Sequence, residues 1–383
     1  MNFTHTEERQ MLAETVERFV RDKYAIDARH KLVEHETGWS REVWAEMAEL
    51  GLVGALFPEE AGGFGGAGFD VMVVFEQLGK GLVVEPFLPC LLGGTALLGG
   101  SDAQRDMLEG VIGGETLLAL AHGEPQSRYD LRDVQTTAKR DGEAWVLDGA
   151  KAVVLGGEAA DHIVVSARTA GERKDASGIS LFLVPGDAVE TRGYPTADGY
   201  RAAEVRLDGV RVGAAALIGT EGEGLAIVER AQGAGIVAVC AEALGAAEVA
   251  ADMTLDYLKT RKQFGVVIGK FQALAHRMAD MLTEIEQARS LVINAAAHLE
   301  SDDAFERDWH LSAAKNMIGR TGKLVAEESI QLHGGIAMTW EYAVGHYAKR
   351  LIMIDAMFGD TDHHLERCMR LSRERSVFGA AAA

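Results

Sequence analysis

The sequence predicts an α+β protein in which a β-rich segment separates two helical parts. Apolar residues with helical spacing, such as Val16 and Phe19, are typical of residues 1–115. β-Branched residues and Asp-Gly pairs are typical of residues 116–221, and residues 222–383 carry long helical patterns that no proline interrupts. We therefore predict an N-terminal helical domain, a middle antiparallel β-sandwich or barrel, and a C-terminal four-helix bundle.

Composition excludes several classes of protein. The 383 residues are 48% apolar, which is enough to bury a large core and argues against a disordered chain. The net charge of −20 argues against nucleic acid as a partner, because phosphate binding needs a basic surface. Cys90, Cys240 and Cys368 lack CxxC spacing, so we expect reduced thiols. The polar N-terminus and apolar runs well short of about 20 residues predict a cytoplasmic chain without a membrane span.

The individual elements follow from caps, periodicity and turn residues. Thr4 or Thr6 is expected to cap the first helix. Further helical patterns cover residues 43–52, 71–79, 91–98, 225–261, 271–301, 308–332, 342–357 and 363–373. Strand-like segments are residues 116–121, 144–147, 152–155, 162–167, 179–184 and 204–210. Asp-Gly pairs predict turns at residues 141–142, 148–149 and 208–209.

Two motifs that invite a functional interpretation are explained by ordinary structure. Residues 63–68 match G-x-G-x-x-G, but no strand leads directly into them, so we predict a surface loop. His363 and His364 lie near Asp360, but adjacent helical residues diverge by about 100° and there is no H-E-x-x-H pattern. We interpret them as the polar start of a helix and predict no metal site.

Two C-terminal segments resemble a known family. Residues 257–281 read YLKTRKQFGVVIGKFQALAHRMADM, and residues 331–342 read QLHGGIAMTWEY. Together with the three-part order, both patterns resemble those of the acyl-CoA dehydrogenase family, and the resemblance covers essentially the whole chain. The segments GWSREVWAEMAELGL and GKGLVVEPFL resemble the small subunit of pimeloyl-CoA dehydrogenase and related two-component bacterial enzymes.

The resemblance implies FAD as the cofactor. The cofactor-binding residues that it implies are Arg261, Gln263, Phe264, Gln272, Gln331, Gly334 and Gly335. The first three would contact the FAD of a neighbouring subunit, and the last three would approach its pyrophosphate or adenosine end.

The charges in the first segment are compatible with this role. Lys259, Arg261 and Lys262 concentrate positive charge at a helix end, and arginine suits bidentate contact with phosphate. Two plainer interpretations stay open, since cations also complement the helix dipole and a glycine pair also forms a helix C-cap.

The catalytic base departs from the family pattern. The two usual glutamate positions correspond to Gly359 and Gly235 here. Glu242 lies seven residues after Gly235, on the same helix face and about 10 Å along the axis. Its apolar neighbours predict a raised pKa that suits a general base. We assign Glu242 as the base with Asp360 as the runner-up; a solvated or paired helix Glu242, a capping Asp360 and a subunit without a base are the alternatives.

The flavin-ring contacts depart from the family pattern as well. Residues 121–133 resemble the family's Thr-Glu-Pro…Gly-Ser-Asp loop in part only. Val153 and Leu155 stand where the family has Trp and Thr. The ring contacts from this chain are therefore in question, and a partner's β-domain could supply them.

The resemblance implies a reaction and partners. The reaction is flavin-dependent α,β-dehydrogenation of an acyl-CoA thioester to trans-2-enoyl-CoA, with electrons passing to an electron-transfer flavoprotein. The assembly would be a homotetramer, or a heterotetramer with a second chain of this type. A non-catalytic or half-site subunit of a heterotetramer is the alternative, because both usual bases are absent.

Overall fold

The computed structural model describes residues 6–381, and the side chains of residues 6–375. The helices are α1 (Glu7–Lys23), α2 (Ile26–Glu34), α3 (Arg41–Glu49), α4 (Gly68–Gly81), α5 (Phe87–Leu97), α6 (Asp102–Ile112), α7 (Gly224–Thr260), α8 (Gln272–His298), α9 (Ala304–His333), α10 (Val344–Ala356) and α11 (Thr361–Ala381). The strands are β1 (Leu118–Ala121), β2 (Thr137–Asp141), β3 (Ala144–Leu155), β4 (His162–Arg168), β5 (Ile179–Pro185), β6 (Glu190–Pro195), β7 (Arg201–Gly213), β8 (Leu217–Ile218), β9 (Lys262–Gln263) and β10 (Val266–Val267). The predicted order of helical, β and helical parts is confirmed.

The chain divides into two compact units. One comprises residues 1–31, 67–83 and 236–383, and the other comprises residues 32–66 and 84–235. The first unit thus combines α1 and α4 with the C-terminal helices, whereas the second combines α3, α5 and α6 with the large sheet. Each unit combines separate stretches of the chain, so this division does not test the predicted boundaries at 115/116 and 221/222. Those boundaries describe the order of elements along the chain and stay a prediction.

A predicted helix cap and a predicted loop in the N-terminal part are both present in the structure. Thr6 caps α1 by accepting a hydrogen bond from the Arg9 backbone N–H at 3.3 Å, whereas Thr4 lies outside the described residues. The G-x-G-x-x-G segment follows a short 3₁₀ turn at Glu59–Ala61 rather than a strand, and α4 begins at its last glycine. The loop interpretation of residues 63–68 is therefore confirmed.

The second unit contains an eight-stranded sheet with strand order β6-β7-β3-β2-β4-β5-β8, to which β1 adds at β4. Most neighbours are antiparallel, but β1 pairs with β4 in parallel, as does the single β2–β4 bridge. The parallel pairing is possible because the β2–β3 hairpin lies between β1 and β4 in the chain and gives a long connection. Trp145 and Phe182 anchor the core beneath the sheet, with ring centroids 5.2 Å apart in an edge-on contact.

Only one of the three Asp-Gly turns predicted from the sequence is a turn. Residues 141–142 connect β2 to β3, and Gly142 has a φ of +64°. The other two predictions are wrong, because residues 148–149 lie inside β3 and residues 208–209 lie inside β7. The two pairs face each other at a shift in the β3–β7 register, where Asp148 accepts a hydrogen bond from the Gly209 N–H at 2.8 Å. They form a β-bulge that joins the two predicted strands of β3 into one.

The C-terminal helices match their predicted segments to within a few residues at most ends. α9 packs against α8, α10 and α11. Among the described residues, α7 alone is long and apolar enough to cross a membrane, which corrects the expectation that every apolar run is too short. However, 89% of its most apolar stretch is buried within the protein, as in a core helix.

Two glycines bring α4 and α7 into close contact. A Cβ atom added at Gly79 would lie 2.0 Å from the carbonyl oxygen of Glu242, and one added at Gly245 would lie 1.9 Å from that of Glu76. Because both obstacles are backbone atoms, neither position has room for a side chain. The distance between these helices is therefore set by glycine.

We expect Gly245→Ala to lower the free energy of unfolding by about 2 kcal/mol or more, because the methyl group forces the helices apart. Gly322→Ala is the matched control, since this α9 glycine has its nearest such contact at 3.4 Å. There, alanine should be neutral or stabilising by about 0.5–1 kcal/mol. Chemical denaturation measures both, and equal effects would contradict the interpretation.

Candidate functional site

The first predicted cofactor segment forms an exposed hairpin after α7. Its strands β9 and β10 are joined by Phe264 and Gly265, with φ values of +53° and +78°, as in a type I′ turn. The Phe264 side chain is 90% exposed and makes an edge-on contact with Phe271. Arg261 and Gln263 are exposed on the same hairpin, and Gln272 is exposed at the start of α8. A bulky aromatic in the left-handed region and in water is a costly arrangement, which points to a binding surface.

The second predicted segment forms an open turn after α9. Gly334 has a φ of +69° and a ψ of −147°, a conformation that is essentially restricted to glycine. A Cβ atom added at Gly334 or Gly335 would meet nothing within 4 Å, so the backbone is open to a ligand. Gln331 is exposed one turn earlier.

An aromatic stack connects the two segments. The buried His333 ring lies 4.6 Å from the Tyr257 ring and 5.2 Å from the Tyr342 ring, measured between centroids. His333 is fixed by its Nδ1, which donates to the carbonyl oxygen of Ser329 at 2.8 Å. Tyr257 lies one helical turn before Arg261, and His333 directly precedes Gly334. The His333 ring therefore joins the residues that lead into the hairpin to those that lead into the glycine turn. Spacing in the sequence does not reveal this contact.

These groups fit an anionic dinucleotide. The hairpin offers a guanidinium, an amide and an unpacked aromatic ring, and the turn offers backbone that a phosphate can approach closely. An FAD molecule needs such groups for its pyrophosphate and adenosine. The residues present therefore fit the cofactor.

In the second unit, a buried ion pair fixes the loop that resembles the family's Thr-Glu-Pro segment. Glu124 accepts hydrogen bonds from Lys151 Nζ at 2.7 Å and from the backbone N–H groups of Gln135 and Thr136 at 2.8 and 3.0 Å. Burial raises the pKa of Glu124, but the Lys151 charge and hydrogen bonds with Lys151, Gln126 and Thr136 outweigh it and lower the pKa to about 2. The loop is thereby held against β3, where Gly123 accepts a hydrogen bond from Ala152.

Val153 is strained and exposed next to this loop. It has a φ of +54°, in the left-handed region that β-branched residues avoid, and it is 60% exposed. It lies at a second register shift between β3 and β7. Backbone strain of this kind persists where the surroundings impose it and is common at functional sites. The position that corresponds to the family's Trp by resemblance thus has an unusual, accessible geometry in this chain.

The argument that made Glu242 a base fails in the structure. Its carboxylate is 3% exposed and makes a two-pronged ion pair with the buried Arg350, at 2.7 Å to Nε and 2.6 Å to Nη2. The apolar residues around it in sequence are its helix neighbours, but α10 supplies a cation from 108 positions away. Of the sequence alternatives, the paired helix glutamate is the one that the geometry supports.

Asp360 is engaged as a helix cap, and Gly359 lies against two histidine rings. Asp360 accepts a hydrogen bond from the His363 N–H at 2.9 Å at the start of α11, as the capping interpretation predicts. Gly359 has a φ of +112°, and a Cβ atom there would lie 2.6 Å from His364 Nε2. His364 is buried and contacts the Phe358 carbonyl oxygen at 3.0 Å. The histidines therefore fill the space into which a side chain at 359 would begin to extend.

Sequence reasoning missed one unusual carboxyl group, that of Glu85. Glu85 is buried before α5, and its Oε2 has no hydrogen-bond partner among the described residues. Burial raises its pKa to about 7, although its own backbone and that of Ser40 oppose the shift. A glutamate between Val84 and Pro86 in an apolar run was the available signal.

Comparison with known proteins matches nearly the whole chain. The family models of the acyl-CoA dehydrogenase N-terminal, middle and C-terminal domains match residues 6–115, 119–210 and 222–372. The acyl-CoA dehydrogenase FadE12 of Mycobacterium tuberculosis is 31% identical over 90% of both chains. The chain belongs to the acyl-CoA dehydrogenase family. It is accordingly an FAD-dependent oxidoreductase, and the predicted fold is confirmed.

Solved structures of this family share the fold over the full length. Butyryl-CoA dehydrogenase from Megasphaera elsdenii matches with a TM-score of 0.88 and 26% identity, over 96% of this chain and 98% of that one. A chain of the ChsE4-ChsE5 complex from Mycobacterium tuberculosis matches with a TM-score of 0.87 and 26% identity, over 98% and 99%.

We expect Glu242→Gln to lower the free energy of unfolding by about 3–5 kcal/mol, because it removes the negative charge that pairs with the buried Arg350 guanidinium. The double variant Glu242→Leu with Arg350→Met should recover most of this loss, since it removes both charges. Denaturation measures the stability, and turnover is measured in the active assembly. A folded double variant that has lost its turnover would restore Glu242 as a candidate base.

A pH-dependent stability is expected from Glu85. Its folded-state pKa of about 7 exceeds the ordinary glutamate pKa of 4.5, so its contribution to stability is fully present below about pH 4.5 and is lost as the pH rises through 7. Glu85→Gln should remove this loss and be more stable than the parent at pH 8, by about 3 kcal/mol. Thermal unfolding between pH 5 and 8 tests this, with the exposed Glu49→Gln as control. A pH-independent difference would contradict it.

Proposed function

We propose that this chain takes part in the α,β-dehydrogenation of an acyl-CoA thioester to trans-2-enoyl-CoA, with electrons leaving to an electron-transfer flavoprotein. Accepting the β-hydride is the chemistry that FAD supplies when bound. Arg261, Gln263 and Phe264 bind FAD from the hairpin, and Gln331 with the open Gly334–Gly335 backbone holds the phosphate or adenosine end. The observation that supports this is the pairing of an exposed cationic hairpin with an open glycine turn through the His333 stack.

The exposed hairpin also favours a protein that functions as an oligomer. The exposed and strained Phe264 needs a surface to cover it, and the resemblance assigns that surface to the FAD of a neighbouring subunit. We therefore propose a tetramer of this chain or of this chain with a second family member, in the cytoplasm.

A half-site role is the second candidate. The two usual base positions are Gly359 and Gly235, Glu242 is held by Arg350, and Asp360 serves as a cap. A glutamate would not fit at position 359 without a local rearrangement. The positive φ of Gly359 and the nearby His364 ring both disfavour a side chain there. The ChsE4-ChsE5 neighbour is a complex of two named chains, which makes a two-component assembly a reasonable precedent. On this proposal the base comes from the second chain.

The visible absorption spectrum of the purified chain separates the two candidates. The chain is titrated anaerobically with octanoyl-CoA, pimeloyl-CoA and a steroid-CoA in turn. Bleaching of the flavin by the chain alone supports a complete active site and contradicts the half-site role. A yellow protein that no thioester bleaches, or a colourless one, supports the half-site role.

A substitution at Arg261 tests whether the hairpin binds FAD. Arg261→Gln should lower FAD retention at least tenfold, because it removes the cation of the hairpin, without changing the thermal stability of the flavin-free chain. The control is Arg206→Gln, an exposed arginine on β7. Equal FAD retention in parent and both variants would contradict the assigned hairpin role.

A further inference from the structure

A cluster of metal-ligand side chains lies where α8 ends and α9 begins. His298 belongs to the last turn of α8, and Glu306 and His310 are one turn apart near the start of α9. One potential ligand atom from each lies within 4.8 Å of the other two, and all three residues are half-buried. None of them belongs to the motifs that carry the family resemblance.

The hydrogen bond of His298 leaves its Nε2 with a lone pair that can bind a metal ion. Its Nδ1 lies 2.8 Å from the carbonyl oxygen of Asn294, so Nδ1 carries the proton and donates it. The lone pair is therefore on Nε2. Metal-binding histidines almost always donate the other ring N–H in this way, which fixes the tautomer and the ring orientation.

The distance between Glu306 and His310 is that of two ligands on one ion. His310 Nε2 lies 3.4 Å from Glu306 Oε2, which is longer than an ordinary N–H···O hydrogen bond. Two atoms that each lie about 2.0–2.1 Å from a tetrahedral zinc ion are about 3.3–3.4 Å apart. The other oxygen, Oε1, accepts a hydrogen bond from Arg375 at 2.5 Å, which turns Oε2 toward the histidines.

The His310 ring is free to provide the matching tautomer. Its buried Nδ1 makes no hydrogen bond among the described residues, so the proton can reside there and leave the Nε2 lone pair to an ion. The rings of His298 and His310 are stacked, with centroids 3.9 Å apart and planes 18° apart. Because imidazole lone pairs lie in the ring plane, binding requires the rings to rotate out of this stack until the lone pairs converge.

We propose that His298, Glu306 and His310 form a site for a divalent transition-metal ion of the zinc type. Two imidazoles and one carboxylate are ligands that this class of ion accepts, and water would complete a tetrahedral set. The ion would tie the end of α8 to the start of α9 across the loop of residues 299–303. The role is structural, since the ligands come from the helix connection and not from the proposed FAD segments.

Isothermal titration with Zn²⁺ on the untagged, FAD-loaded protein tests the site. We expect one ion per chain and a higher unfolding temperature in its presence. His298→Gln and Glu306→Gln should each weaken binding at least tenfold and abolish the temperature shift. The control His35→Gln removes an exposed histidine elsewhere and should bind like the parent.

Several outcomes would overturn the proposal. They are the absence of binding by the parent, binding that all three variants share, and a stoichiometry well above one that His298→Gln does not reduce. Flavin absorbance and circular dichroism without metal show whether each variant is folded. If both ligand variants misfold, His310→Asn serves as the third test of the same site. Metal binding is measured directly, so the result does not depend on turnover or on the proposed reaction.

Discussion

The burial of Arg350 is the constraint on which much of the helical unit depends. A guanidinium that leaves water must be paired, and Glu242 on α7 provides both carboxylate oxygens. At the same residue, the backbone carbonyl of Glu242 lies against Gly79 of α4, which leaves no room for a side chain. One residue of α7 therefore contacts α10 through its side chain and α4 through its backbone. The position of the long apolar helix follows from these two contacts.

This constraint also explains why the most plausible carboxylate in the sequence is a poor base. A carboxylate that removes a proton from a substrate needs an accessible lone pair and a pKa suited to accepting it. Both oxygens of Glu242 accept hydrogen bonds from a permanently charged partner, so the group works as an ion-pair partner. The Gly359 region supports the same conclusion, because histidines and a cap occupy the space. This arrangement is the basis of the half-site proposal, in which a second chain supplies the base.

The two segments that fit FAD show strain and openness. Phe264 has a positive φ value and a largely exposed ring, and Gly334 adopts a conformation that other residues avoid. These features reduce the stability of the chain by itself. They are reasonable where a cofactor or a neighbouring subunit will cover the surface. The pattern indicates a surface that is covered on binding, and the resemblance assigns that cover to the FAD of a neighbouring subunit.

Predictions from the sequence succeeded where the signal was local or periodic. The helical segments, the Thr6 cap, the Asp360 cap and the loop at residues 63–68 depend on residues within about one turn of each other, so one segment contains the information. The motif segments that the resemblance assigns to FAD are exposed in the structure, whereas their role in binding stays a prediction. One error concerns residues 148–149 and 208–209, where turn residues became a bulge because two long strands pair through them. Another concerns α7, which is long and apolar enough to cross a membrane, although the sequence analysis expected no such segment.

The sequence by itself determined the order of elements and the family, because these depend on local periodicity and on residue types at fixed spacing. Only the tertiary structure decided the role of Glu242, since its partner is 108 residues away and no local pattern predicts which buried charges meet. It likewise decided the His333 stack and the grouping of His298 with Glu306 and His310. The physical reason is that electrostatic pairing and ligand geometry act through space, whereas the sequence records only distance along the chain.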